Sequence, residues 1–110
     1  QLKEVDGVII VKLTGQVRIS TQNEFKDILD NLVMESGEKN VVINMEDIEF
    51  MNSVGLGIII DTCKKFKEKN GKMVLSNLVP DILNLFEVTE LDKFIEIFKT
   101  EGEAISTIME

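Results

Sequence analysis

Two kinds of apolar spacing take turns along this 110-residue chain, and their order restricts the fold more than any single residue does. Short runs such as VIIVKLT at 8–14 and Val41-Val42-Ile43 are dense in branched apolar residues, as expected of strands covered on both faces. Between and after them the spacing changes. Phe25, Ile28, Leu29, Leu32 and Val33 recur at helical intervals, and so do Leu56, Ile59, Ile60, Cys63 and Phe66, so each set shares one face of an amphipathic helix. Strands separated by helices pair in parallel through right-handed crossovers, which predicts an α/β fold with helices packed on a mostly parallel sheet.

Local signals set the boundaries. LKEV and VIIVKLT flank Asp6-Gly7, a dipeptide that favours two-residue hairpin turns because both positions take positive φ. Thr21-x-x-Glu24 reads as a capping box opening the first helix, which stops near Gly37. Asn40 to Met45 reads as a strand, the second helix stops at Asn70-Gly71, and Met73 to Ser76 is another buried strand. Pro80 suits the first turn of a short helix containing Ile82, Leu83 and Phe86. Residues 94–98, FIEIF, read as a final strand, and Thr100-x-x-Glu103 is a second capping box ahead of Ala104, Ile105 and Ile108. The expected order is ββαβαβαβα, with an N-terminal hairpin and four helices in a single domain over 1–110.

Composition removes several functions. With 44% hydrophobic and 29% charged residues and one proline, the chain reads as globular. Its longest apolar run is too short to span a bilayer. Residues 1–7, QLKEVDG, lack the regions of a signal peptide, so the expected address is the cytoplasm, with no membrane partner. A net charge of -8 and a lone arginine, Arg18, argue against nucleic acid. Lys64, Lys65, Lys67, Lys69 and Lys72 form a basic run that solvates one helix face. No histidine is present, which removes Ser-His and Cys-His nucleophile pairs, imidazole metal sites and a ready general base near pH 7. No metal, cofactor or catalysis is expected. Cys63 is the single cysteine; it excludes an internal disulfide and reads as a small core residue.

Residues 50–60, FMNSVGLGIII, include Asn52, Ser53, Gly55 and Gly57, which a stretch that merely filled a core would not spend there. Ser53 stands where a helix N-cap belongs, at a strand-to-helix turn outside the carboxyl end of a strand, where open α/β sheets place their binding sites. Gly55 and Gly57 each cost a helix up to about 1 kcal/mol relative to alanine, so two in a first turn point to a close approach to the backbone. The positive end of the helix dipole can also receive an anion there. Ser53 is therefore expected to cap the second long helix with its side chain exposed.

The run Asp47-x-x-Phe50-Met51-Asn52-Ser53-x-Gly55-Leu56-Gly57, following an apolar strand, resembles the signature of STAS domains, in particular the bacterial anti-sigma factor antagonists. Gly15 after the second strand, Gly71-x-Met73, Leu78-x-Pro80 and Phe86-x-Val88-Thr89-x-Leu91-Asp92-x-Phe94 extend the likeness along the chain. The resemblance implies a switch protein without catalysis of its own. Ser53 would be phosphorylated by a partner that is both anti-sigma factor and ATP-dependent serine kinase, and restored by a serine phosphatase. Unphosphorylated, the chain would act as a monomer that binds the kinase and frees a sigma factor. Gln16, Val17, Arg18 and Ile19, with Met51, Asn52, Ser53, Val54, Gly55 and Leu56, are then the expected partner-binding residues.

Two positions depart from the family pattern. Asn52 stands where an acidic residue usually precedes the serine, which removes a charge beside the acceptor, and Arg18 stands where an acidic residue is common. Other classes fare worse on the residues. A phosphoacceptor receiver domain needs an acidic cluster after an early strand for Mg²⁺, and LTGQVR supplies none. A hydrolase needs a base for Ser53, and only Asp47 or Glu49 is near in sequence. The remaining rival is a non-switching STAS scaffold, or a subunit of a lipid-transport or stress-signalling complex.

Overall fold

A computed structural model describes residues 2–109 of the chain; Gln1 and Glu110 of the domain expected over 1–110 lie outside the described residues. The chain opens with the hairpin β1 (Leu2–Val5) and β2 (Val8–Val17), continues through α1 (Gln22–Ser36), β3 (Asn40–Met51), α2 (Ser53–Glu68), β4 (Lys72–Ser76) and α3 (Pro80–Val88), then passes through a 3-10 turn (Leu91–Lys93) to β5 (Ile97–Phe98) and α4 (Glu101–Ile108). The strands lie in sequence order, with β1 antiparallel to β2 and the other pairs parallel. Asp6 and Gly7 at the hairpin turn take φ of +52° and +82°, the pair of positive values their sequence requires. Order and fold class match the expectation from sequence.

Strands laid down in one direction through right-handed crossovers keep every connecting helix on one face. α1, α2 and α3 accordingly share one core, in which Phe25, Leu29, Ile59, Cys63, Phe66, Ile82 and Phe86 meet Ile9, Val11, Val41, Ile43 and Leu75 of the sheet. α4 follows the last strand and is no crossover, so it is free to cover the other face. There Ala104 packs on Val8, Ile10, Val42 and Val74.

β3 is twice as long as the run that signals it. It continues six residues past Met45 because β2 extends beside it, but the register slips between Lys12 and Thr14 and again between Gly15 and Gln16. Each slip places an extra β3 residue opposite its partner, and the extra residue turns the side-chain alternation over. Met45, Ile48 and Met51 therefore all face the α1–α2 core although they are three residues apart. Gly15 lies inside β2 at the second slip, with φ +113°, rather than after the strand. The final strand is shorter than FIEIF: a left-handed Glu90 and the 3-10 turn carry the chain as far as Phe94, which is exposed, and only Ile97 and Phe98 pair with β4.

Candidate functional site

The two bulges bring β3 to its end beside the end of β2, and the turns that follow both strands are tied together. The Asn52 amide N–H donates to the Val17 carbonyl at 3.0 Å. Asn52, rather than Ser53, caps α2: its Oδ1 accepts from the Gly55 N–H at 2.9 Å, while its Nδ2 donates to Gln22 Oε1 at 2.9 Å. Asparagine caps as well as serine does, and the strand's extra length decides between them by moving the helix start to Ser53. An aspartate at position 52 could accept from Gly55 but could not donate to Gln22. The amide as it stands joins the start of α2 to the start of α1, and an aspartate would keep that tie only by accepting from a turned-over Gln22 amide.

Thr21 is also diverted from its expected role. Its hydroxyl donates to the Gln16 carbonyl at 2.7 Å and accepts from the Arg18 N–H at 3.0 Å, and it makes no capping bond to α1. The 16–21 loop is held in shape by that hydroxyl. Arg18 is held in turn: its Nε donates to Gln16 Oε1 at 2.5 Å, and its guanidinium lies 4.3 Å from the centre of the exposed Phe50 ring, within cation–π range.

Ser53 is the first residue of α2 and is exposed. Its hydroxyl engages no other group among the described residues. Gly57 lies one turn on and has nothing within 4 Å of where a Cβ would stand. Helical side chains lean toward the N-terminus, so any larger residue at 57 would lean over Ser53. Gly55 has a different purpose. A Cβ there would come within 2.6 Å of Met51 Cγ and 2.9 Å of Val17 Cγ1, so this glycine lets α2 approach the ends of β2 and β3. The close neighbour inferred from sequence is thus the protein's own core at Gly55, while Gly57 leaves open space.

The residues expected to bind a partner fall into two sets. Gln16, Arg18, Ile19, Ser53 and Val54 are exposed, with Asn52 half-buried between them, whereas Val17, Met51, Gly55 and Leu56 are buried behind them. Phe50, 41% exposed, belongs with the first set although sequence reading passed over it. Its exposure follows from the second register slip, which pairs Gln16 with Phe50. Ile19 is 86% and Val54 46% exposed, so the chain after β2 and the start of α2 each present an apolar side chain. Cys63 is remote from this surface, and burial pushes its thiol pKa up, which keeps it protonated. Among the described residues no helix is long and apolar enough to cross a membrane.

Comparison with known proteins bears on the fold and the family. An anti-sigma F factor antagonist from Paenibacillus polymyxa is 26% identical over 93% of this chain and 87% of its own length. An anti-sigma factor antagonist from Mycobacterium paratuberculosis has the same fold, with a TM-score of 0.86, 24% identity and coverage of 100% of this chain and 92% of its own. The cell-fate determinant SpoIIAA from Bacillus, solved in its phosphorylated form, superposes with a TM-score of 0.68 at 21% identity over 98% of this chain and 97% of its own. The STAS domain family matches residues 1–104, and the chain belongs to that family.

Proposed function

We propose that this chain is an anti-sigma factor antagonist switched by phosphorylation of Ser53. The carrying observation is the exposed Ser53 hydroxyl, which makes no bond of its own, at the first residue of α2 within a surface that includes Ile19, Phe50 and Val54. The P. polymyxa relative is named for antagonism of an anti-sigma factor, and SpoIIAA is described in a phosphorylated form. In the unmodified state, the apolar side chains around Ser53 are covered by an anti-sigma factor that is also a serine kinase. Phosphate adds about -1.5 to -2 charge. The dipole and free N–H groups at the start of α2 stabilise that charge in the isolated protein. Covering it with a partner's apolar surface removes its water and breaks the complex. A serine phosphatase reverses the modification.

In this scheme the chain performs no chemistry of its own, and the Ser53 hydroxyl is the acceptor of the kinase's phosphoryl group. It works as a monomer in the cytoplasm. Affinity capture from the source cell followed by mass spectrometry tests the assignment. The expected result is recovery of a serine kinase of the anti-sigma class, with part of the chain phosphorylated at Ser53. Recovery of transporter or stress-complex subunits with Ser53 unmodified would replace the switch by a scaffold.

A further inference from the structure

β2 outruns its neighbour on one side. β1 pairs with it only from Val8 to Val11, whereas β3 stays beside it to Val17, so among the described residues 13–17 have a strand on one side and none on the other. Alternate backbone N–H and C=O groups of such a segment point outward, where they can pair with another chain. The run LTGQV at 13–17 carries neither charge nor proline, the side chains with which natural sheets guard an edge.

A groove lies along this edge, between β2 and α1. Its volume is about 510 Å³ and its lining includes Leu2, Leu13, Phe25 and Ile28, of which Leu2 is 57% and Ile28 43% exposed. The α1 residues in the lining also include Glu24, Asn31 and Glu35, which recur with Ile28 at helical intervals and so share one face. Both carboxylates are exposed, and neither forms an ion pair among the described residues. Lys12, the cation of the lining, is engaged by Glu46 at 2.8 Å and Asp47 at 3.6 Å. The groove is therefore apolar in its middle and negative towards both ends.

We propose that this edge receives an extended segment of a partner protein as an added strand, apolar at alternate positions and basic at both ends. Main-chain bonds to β2 supply affinity, alternate apolar side chains enter the groove, and a lysine or arginine at each end meets Glu24 or Glu35. Charge selects this occupant over a second copy of the chain, which would bring a net charge of -8 and the same unpaired carboxylates against the groove. Length agrees as well. Glu24 and Glu35 are separated by about 16 Å along the helix, a distance that about five residues of extended chain cover. The groove reaches Gln16 and Thr21 of the loop beside the Ser53 surface, but Ser53 is no part of its lining. The site thus stands or falls independently of the phosphorylation switch.

Amide-resolved NMR titration of the intact chain tests this with the peptide acetyl-KTVTVTK-amide, and with acetyl-ETVTVTE-amide as the charge-reversed control. The basic peptide should give saturable shifts confined to 13–17 and the groove face of α1, with affinity at least tenfold above the control. Two methylated forms, one carrying N-methyl groups on its valines and the other on its threonines, test the backbone pairing. One of them should lose binding and the other keep it, because only alternate amides of an added strand face β2. Glu24→Gln combined with Glu35→Gln should weaken the peptide at least fivefold, and so should Ile28→Ser, whereas Ser53→Asp should bind it like the parent. Absent or scattered shifts, equal binding of the two charged peptides, or equal behaviour of the two methylated forms would overturn the proposal. So would a double glutamine variant that binds like the parent, a loss of binding in Ser53→Asp, or a chain that dimerises through 13–17 without peptide in sedimentation and amide-exchange measurements.

Discussion

Thr21-x-x-Glu24 and Thr100-x-x-Glu103 are the same motif in two regions of the molecule, and only one of them closes. Before α4, Thr100 Oγ1 accepts from the Glu103 N–H and Glu103 Oε1 accepts from the Lys99 N–H, both at 3.1 Å. Before α1, the hydroxyl turns away to fasten Gln16 and Arg18. The box closes where the only demand is to start a helix. It opens where the hydroxyl holds the preceding loop instead, and α1 starts without a side-chain cap. A motif thus reports what a residue can do locally, and the neighbouring strand ends decide which of its bonds is made.

The largest expected contrast compares the two first turns. Gly55→Val should destabilise the protein by at least about 2 kcal/mol, because overpacking a filled core costs about 1–3 kcal/mol and the first added atom already meets Met51 and Val17. In the first turn of α4, Gly102→Ala meets nothing closer than 3.8 Å and should stabilise by about 0.5 kcal/mol through the unfolded chain. Thermal melts that moved both variants in the same direction would break the contrast.

The threonines come next. Thr100→Val should cost about 1 kcal/mol, the usual loss of a cap, with no effect on partner binding. Thr21→Val should cost a similar amount through its two loop bonds, yet should also weaken the partner complex by releasing Arg18 and Ile19. Chemical denaturation beside a binding titration separates the two, and equal binding by both variants would show that the 16–21 loop is no part of the interface.

Gln22→Leu should leave the Asn52 cap of α2 in place and remove its tie to α1, at about 0.5–1.5 kcal/mol, measured by denaturation. A variant as stable as the parent would mean that the amide tie between α1 and α2 carries no weight. The smallest effect concerns Asp30, which Lys26 and Lys65 hold below the usual carboxylate pKa. A depressed carboxylate contributes stability above its unfolded pKa and loses it as pH falls through the folded value. Asp30→Asn should therefore reduce the difference in melting temperature between pH 7 and pH 3 slightly, while leaving acid stability itself unchanged.

The fold was legible because α1 and α2 carry unbroken helical stripes and Asp6-Gly7 admits one kind of turn. Ser53 was legible as an exposed hydroxyl at the start of α2, while the glycine signal had another origin at Gly55, whose close neighbours are Met51 and Val17. The bulges of β3 were not legible, because EDIEF lacks alternation whenever the register slips and sequence alone does not show the partner strand. The start of α2, the capping role of Asn52 and the exposure of Phe50 all depend on those slips, so each was missed or shifted by one residue. The diversion of Thr21 was hidden for a related reason, since its partners are set by where β2 ends.

Partner affinity of Ser53→Ala and Ser53→Asp, measured against the captured kinase, tests the switch most directly. Because Asn52 makes the capping bond, alanine at position 53 should leave the melting temperature nearly unchanged, in place of the loss of about 1 kcal/mol that a serine cap would give. It should also bind the kinase as tightly as the parent. Aspartate, with its charge set in the apolar surface, should keep the fold and bind at least tenfold more weakly, about 1.4 kcal/mol. Aspartate that bound as tightly as serine, together with a parent chain left unmodified by kinase and ATP, would contradict phosphorylation switching at Ser53.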